Sequence, residues 1–283
     1  MKLIAYKALN ANMTCRGFQY EVGKTYTHSG RVSLCKPGFH ACELPFNCWS
    51  YYPTSTTFAR VILSAAGKRM HNIEKQVGSK ITIEARLTVQ EWIEAQVSEV
   101  ANLCKKSKKI SYEDSINFAA SEDSANLAAF RPSSSLAASG DFSNLVASGP
   151  SNSLVASGYH SNLAASNYHS SLAASGDFSN LAASNYHSRL AASGDYNQLV
   201  ASGKDSNLAV SGDYSYAGVS GKNSIAAAIG INSTARAEKG GWIVLAEYDK
   251  IGNIITVKTG RVGMRGIKAG VAYKLENKKF IPV

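Results

Sequence analysis

Between Phe118 and Ala235 the same nine residues return without a slip of register, with starts at Phe118, Leu127, Leu136, Leu145 and so on to Ala217, Ala226 and Ala235. The consensus is L-[AV]-A-S-[GN]-x-[FYHS]-S-N. A fixed short period in a stretch this poor in charge is the signature of a solenoid, in which each unit buries its face only against its neighbours. Position five is Gly or Asn in most units, for example Gly140, Gly158, Asn167, Gly176, Asn185 and Gly194. Both residue types accept a left-handed backbone, so we place a left-handed corner there. One corner per nine residues leaves room for one short strand. Strand alternation then turns the Ser of position eight, the Leu of position one and the Ala of position three to one side, giving a thin core.

Two strands are the minimum for a flat coil, so nine residues should make half a coil and eighteen a full one. The corners agree. Gly140-Asp141-Phe142, Gly176-Asp177-Phe178, Gly194-Asp195-Tyr196 and Gly212-Asp213-Tyr214 are spaced by multiples of eighteen. The intervening corners carry Asn167-Tyr168-His169, Asn185-Tyr186-His187, Gly203-Lys204-Asp205 and Gly221-Lys222-Asn223. The expected fold is therefore an α+β N-terminal domain (1–110), a parallel β-solenoid of about seven coils (111–237) and a small C-terminal β cap (238–283). At ~4.8 Å per stacked strand the rod is ~34 Å long. The pentad S-N-L-A-A also resembles the unit of pentapeptide-repeat proteins. N-S-I-A-A-A-I-G (Asn223 to Gly230) resembles the head repeat of trimeric autotransporter adhesins. Both resemblances imply a β-solenoid.

The ends read differently. Leu3 to Ala8, Phe18 to Val22, Gly38 to Cys42, Phe58 to Leu63 and Lys80 to Leu87 have strand character, Glu43 to Tyr52 reads as a short helix stopped by Pro53, and Thr88 opens a helix with a capping-box spacing to Glu91. Past Gly240-Gly241, the segments Trp242–Tyr248, Ile254–Lys258, Ala272–Leu275 and Lys279–Val283 read as strands that cover the open end of the rod. The net charge of +10 is uneven. Residues 1–110 hold sixteen Lys/Arg against seven acids, 111–237 five against nine, and 238–283 nine against four. Both ends are basic and the rod is mildly acidic, far short of the acidic density needed to imitate DNA. No run of eighteen apolar residues and no signal-peptide core occur, so the expected compartment is the cytoplasm with no membrane partner.

M-T-C-R-G-F-Q-Y-E-V-G-K-T-Y (Met13 to Tyr26), L-C-K-P-G-F-H-A-C (Leu34 to Cys42) with Tyr51-Tyr52-Pro53, and W-I-V-L-A-E-Y-D (Trp242 to Asp249) resemble an uncharacterised family of phage, prophage and bacterial proteins. That resemblance implies a phage setting and the cytoplasm of a host cell. The strands around Tyr6, G-F-H-A-C and F-A-R-V-I-L resemble the half-barrel of ADP-ribosyltransferases, without the R/H…S-T-S…E set that their chemistry uses.

Candidate sites are few. Cys35, His40, Cys42 and Cys48, with Cys15 nearby, are zinc-ligand types; their C-x4-H-x-C-x5-C spacing differs from paired knuckles, and buried thiols around a core histidine are the competing reading. The cysteine count is odd and none lies in the repeats, which points to reduced thiols. No cofactor is expected, zinc being the one alternative. Lys105, Lys106, Lys108 and Lys109 are a candidate nucleic-acid contact, against a solvated charge run at a domain junction. His160, His169 and His187 occupy aromatic corner positions, and the stacked Asp177, Asp195 and Asp213 should cap turn amides rather than hold calcium. Two functions follow. The first is a non-catalytic interaction protein, with the solenoid as spacer or binding face, a host protein (a defence or nucleic-acid enzyme) or nucleic acid as partner, and homo-oligomers open. The second is an enzyme or nucleotide-binding N-terminal domain carried on a solenoid spacer.

Overall fold

A computed structural model of the chain describes residues 2–33, 37–49, 51–52, 57–66, 75–107, 110–111 and 117–283. Cys35, Pro53, Lys108 and Lys109 lie outside the described residues. Two compact units divide the chain, Met1–Gln96 and Val97–Val283.

In the first unit, Lys2–Leu9 lies between Phe39–Cys42 and Thr57–Ala66, antiparallel to both. The thirteen-residue strand Lys75–Leu87 pairs with Phe39–Cys42 and Thr25–Thr27 along one edge and with Thr57–Ala66 along the other. The sheet therefore closes on itself, and closure needs the long strand to bend. A register shift at Arg60/Val61 supplies part of the bend. Gly78 also contributes, because a Cβ there would sit 2.7 Å from the Ser64 carbonyl oxygen. Inside are Ala5, Leu9, Ala41, Ala59, Val61, Leu63, Ile81 and Ile83. On the other face of the sheet, Trp92 of the helix Val89–Ser107 stacks on Phe58 (4.1 Å, 17°) and meets Tyr6 edge-on at 5.8 Å. The helix opens on the expected capping box: the Thr88 amide donates to Glu91 Oε2 at 2.7 Å and the Glu91 amide to Thr88 Oγ1 at 3.2 Å. Of the expected helix Glu43–Tyr52, only a 3-10 turn Phe46–Cys48 forms. Its start is pinned where the Phe46 amide donates to Gln96 Oε1.

The second unit contains the solenoid, of about seven turns at eighteen residues per turn. Two parallel sheets face each other. Sheet one runs through Asn126–Ala129, Asn144–Ala147, Asn162–Ala165, Asn180–Ala183, Gln198–Ala201 and Tyr216–Val219 to Thr234–Ala237. Sheet two runs through Asn117–Ala120, Ser135–Ala138, Ser153–Ala156, Ser171–Ala174, Arg189–Ala192, Asn207–Val210 and Ile225–Ala228. Through the middle of the stack leucine sits on leucine at each step of eighteen, as in Leu127↔Leu145↔Leu163↔Leu181 and Leu136↔Leu154↔Leu172↔Leu190, and toward the C-terminal end alanine takes the position at Ala217, Ala226 and Ala235. The core is the expected one: from Leu127 onward the leucines and the position-three alanines are buried, with Ser143, Ser161 and Ser179, and of the position-three alanines only Ala120, in the first repeat, is half-buried.

The corners correct the sequence reading. The left-handed residue is position seven, not position five: Phe142, His160, Phe178, Tyr196 and Tyr214 have φ between 53° and 57°, and His169 and His187 lie at 58° and 57°. A bulky side chain in that region is strained by about 1–2 kcal/mol per residue. Two repeated interactions offset the strain. Each of these amides bonds to the next coil, as Phe178 N to Asp195 O at 2.9 Å and Tyr196 N to Asp213 O at 2.8 Å, and the rings stack at 4.7 to 5.5 Å down the column from Phe142 to Tyr214. The position-five glycines serve a different purpose. A Cβ on Gly176 would lie 2.1 Å from the Gly158 carbonyl oxygen, so glycine is needed there for close approach between coils. The aspartates form the expected column and cap amides one coil on: Asp177 Oδ1 accepts from Asp195 N at 2.8 Å, and Asp195 Oδ1 from Asp213 N at 2.7 Å.

The two sheets differ on their outer faces. In sheet one an amide ladder, Asn180 to Asn162 to Asn144 to Asn126 at 2.9 to 3.0 Å, accompanies outward residues Ala128, Val146, Ala164 and Ala182 that are fully buried in the folded chain. In sheet two the equivalent Ala137, Val155, Ala191 and Ala209 are exposed.

The coil period ends at Gly240-Gly241, where the offset falls from eighteen to seventeen residues, Ile225 pairing with Trp242. Each sheet is then finished by antiparallel strands. Trp242–Tyr248 pairs with Ile254–Arg261, and Thr234–Ala237 with Ala272–Glu276, which turns back into Lys279–Pro282. No described helix is long and apolar enough to cross a membrane.

Candidate functional site

A cavity of about 360 Å³ opens in the first unit, and the elements around it explain its chemistry. In Lys2–Leu9, alternation puts Lys7 on the same side as the core residues Ala5 and Leu9. Its side chain is drawn inward with them and is 5 % exposed. The ammonium donates to the His40 carbonyl at 3.0 Å and lies 5.4 Å from the centre of the Tyr20 ring. No carboxylate pairs with it among the described residues. The strand thus turns a positive charge toward the cavity, where the alternation of its neighbours calls for an apolar side chain.

The mouth is built from three further pieces. Thr14–Cys15 and Phe18–Gln19 form a minute hairpin whose two-residue turn, Arg16-Gly17, has φ of 50° and 78°, the geometry of the turns that match strand twist. That turn presents Arg16 to the cavity. Phe18, 42 % exposed, rests on Tyr20 (4.8 Å), Tyr26 (5.2 Å) and Phe39 (6.0 Å) and forms an aromatic wall. Opposite, Lys75 lies 4.0 Å above the Tyr51 ring. Lys7, Arg16, Lys75 and His40 thus line the cavity together with Tyr6, Phe18, Tyr20, Phe39, Tyr51 and Tyr52, and no described carboxylate joins them.

Protonation follows from this setting. Burial, then the charges of Lys75 and Lys7, lower the pKa of His40, which favours neutral imidazole at neutral pH. Burial raises the Tyr20 phenol, and burial together with the contact to Cys15 pushes Tyr52 up to about 12. Both hydroxyls keep their protons and remain hydrogen-bond donors.

The zinc-type residues gather at this cavity, yet each described one has its own local role. Cys15 Sγ and Tyr52 Oη are 3.1 Å apart, Cys48 Sγ donates to the Tyr6 carbonyl at 3.3 Å, and Cys42 is buried opposite Tyr6 in the sheet. Among the described residues no three His, Cys, Asp or Glu side chains are grouped to hold a metal ion. No disulfide joins Cys15, Cys42, Cys48 and Cys104 to one another. Lys105 and Lys106 fall in the last turn of the helix Val89–Ser107. In the solenoid, His169 and His187 stack at 4.9 Å and 16°, and His160 takes its place in the Phe142–Tyr214 column.

Residues 3–95 match the family model of a domain of unknown function, DUF7666. The DUF7666-like segment coincides closely with the first compact unit and includes every cavity residue named above; the repeats and the C-terminal strands lie outside it. Comparison of the chain with curated proteins and with solved structures finds no match.

Sequence reasoning missed Lys7, Arg16 and Lys75. The signal for Lys7 was present, since in L-I-A-Y-K-A-L a lysine stands at an inward position between Ala5 and Leu9. Lys75 and Arg16 carried none, because only the closure of the sheet brings them to the same opening.

Proposed function

We propose that this chain is a non-catalytic binding protein whose DUF7666-like unit holds a small anion bearing a planar ring, of the nucleotide class, while the solenoid serves as a rigid spacer. The observation that carries this reading is the buried, unpaired ammonium of Lys7 in a cavity lined by cations and aromatic rings. A phosphate group would neutralise Lys7 with help from Arg16 and Lys75, as buried charges are stable only when paired. The tyrosine and phenylalanine rings would take the base, and the cavity volume falls within the small-molecule range. Binding without turnover is favoured because, among the described residues, the cationic lining offers no carboxylate to act as general base or to stabilise a sugar cation.

The test is thermal melting and titration calorimetry of the full chain with ADP, pyrophosphate and adenosine. ADP should raise the melting temperature most, pyrophosphate less and adenosine least, and Lys7→Met should abolish the ADP effect. If none of the three binds, or if adenosine binds as tightly as ADP, the reading fails.

A second reading, protein binding by the rod, draws on the open outer face of sheet two, where Val155, Ile225 and Ile229 are 46 %, 40 % and 39 % exposed. In a phage-type setting the partner would be a host enzyme.

A further inference from the structure

The C-terminal strands enclose a cleft of about 860 Å³ in which charge is strongly one-sided. Residues 238–283 hold nine Lys/Arg against four acids, and all four acids are engaged elsewhere. Glu238 pairs with Arg236 at 2.6 Å, and Glu276 with Lys274 at 2.8 Å. Asp249 accepts the Ile251 and Asn253 amides of its own turn, and the two oxygens of Glu247 accept the Asn277 and Lys278 amides. What faces the cleft is therefore uncompensated: Lys258, Arg261, Arg265, Lys278 and Lys279, with no described carboxylate in its lining. Of these, Lys258 reaches the Lys278 carbonyl at 2.7 Å, which fixes one wall.

The floor is apolar. Ile267 and Tyr273 are buried, and Phe280 meets Tyr273 edge-on at 6.5 Å. Gly260 allows this packing, since a Cβ there would lie 2.3 Å from Ile267 Cδ1. At the rim, Trp242 is 41 % and Met264 54 % exposed, although both are large apolar side chains that normally seek cover. Trp242 is cross-strand partner to Arg261, so the two side chains leave the same face of the sheet, and both line the cleft.

From this pairing of unpartnered cations with exposed ring and thioether we infer that the C-terminal cap binds single-stranded nucleic acid. Phosphates take the cations, and unpaired bases stack on Trp242 and reach the apolar floor. A duplex keeps its bases stacked inside and would use the charge but not Trp242 or the floor. This site is separate from the Lys7 cavity and does not depend on a ligand there.

The test uses the full chain, a fluorescein-labelled twelve-residue oligo(dT) and a labelled duplex of equal length, read by anisotropy at rising salt. The variants are Arg261→Ala/Arg265→Ala and Trp242→Ala, all exposed or rim positions, with folding checked by circular dichroism melting. The single strand should bind more tightly than the duplex and weaken steeply with salt. The double arginine variant should lose about tenfold or more, and Trp242→Ala about five- to tenfold for oligo(dT), with no change for inorganic polyphosphate. No binding at low salt, duplex bound as tightly as single strand, or unchanged oligo(dT) affinity in folded Trp242→Ala would each overturn the inference.

Discussion

The solenoid and the N-terminal unit solve the burial of polar groups in opposite ways. In the solenoid the buried polar groups repeat a few arrangements: the Asn180–Asn162–Asn144–Asn126 ladder runs from coil to coil, the corner amides bond to the next coil, and Ser143, Ser161 and Ser179 each donate to a carbonyl of their own corner. In the N-terminal unit, strands distant in sequence close around a cavity and leave the Lys7 ammonium with one carbonyl and the face of the Tyr20 ring for company. Local consistency marks the part of the molecule built for shape. On the function proposed above, the departure from it marks the part that would hold a ligand.

The comparison breaks first at the leucine core. Leu181 is fully buried and Leu172 2 % exposed, so Leu181→Asp or Leu172→Asp places an unpaired carboxylate in the core between the two facing sheets. A loss of more than about 4 kcal/mol is expected, seen as collapse of the cooperative thermal transition by circular dichroism. A mutant that melts like the parent would contradict the inward assignment. A smaller effect should follow deletion of whole coils. Removing the eighteen residues Leu172–Arg189 restores sheet on sheet and should leave a folded, shorter rod, whereas removing nine joins a sheet-one strand to sheet two and should lower the melting temperature far more. Equal melting of the two deletions would refute the alternation of corners.

Next comes the close approach of coils. Gly176→Ala forces a methyl against the Gly158 carbonyl and should cost about 1–3 kcal/mol, measured by denaturant unfolding. Gly17→Ala, at φ 78° with open space around it, tests only backbone strain and should cost about 1 kcal/mol. In the N-terminal unit the sign should reverse. Lys7→Met removes a buried unpaired charge and should stabilise the ligand-free protein by about 1–3 kcal/mol. Destabilisation by Lys7→Met would show that Lys7 is structural.

The smallest effect is in pH. Burial, with Lys75 and Lys7, lowers the His40 pKa in the folded state, so the unfolded chain binds more protons as pH falls. The stability this confers is complete above the ordinary histidine value near 6.5 and is lost as pH falls through the folded value. His160 in the rod is lowered too, by burial alone. His40→Asn and His160→Asn should therefore each flatten the acid limb of the stability curve, and an unchanged limb in both would remove the histidines as its cause.

Much of this fold was legible because its determinants are local and repeated. The period, the eighteen-residue coil, the leucine core and the aspartate column can all be read from the spacing of Leu172, Leu181, Asp177 and Asp195. The corner was misread for a physical reason. Glycine signals either a positive φ or a close approach, and sequence does not distinguish the two; here Gly176 serves approach while Phe178 takes the left-handed turn. The cavity was less legible because its parts converge only through long-range pairing. Cys42, His40 and Cys48 drew attention by residue type, whereas the buried cation with no described carboxylate beside it was Lys7, in a strand that read as ordinary.

The seventeen-residue step at Gly240-Gly241 and the antiparallel strands beyond it give the stack a sealed end. New coils cannot be appended past Trp242. They can enter only within the repeats, and only as in-frame duplications of two units, since a lone unit would present each corner to the wrong neighbour. The gene can therefore alter the length of this protein only in whole coils, while the C-terminal cleft always stays at the tip of the stack.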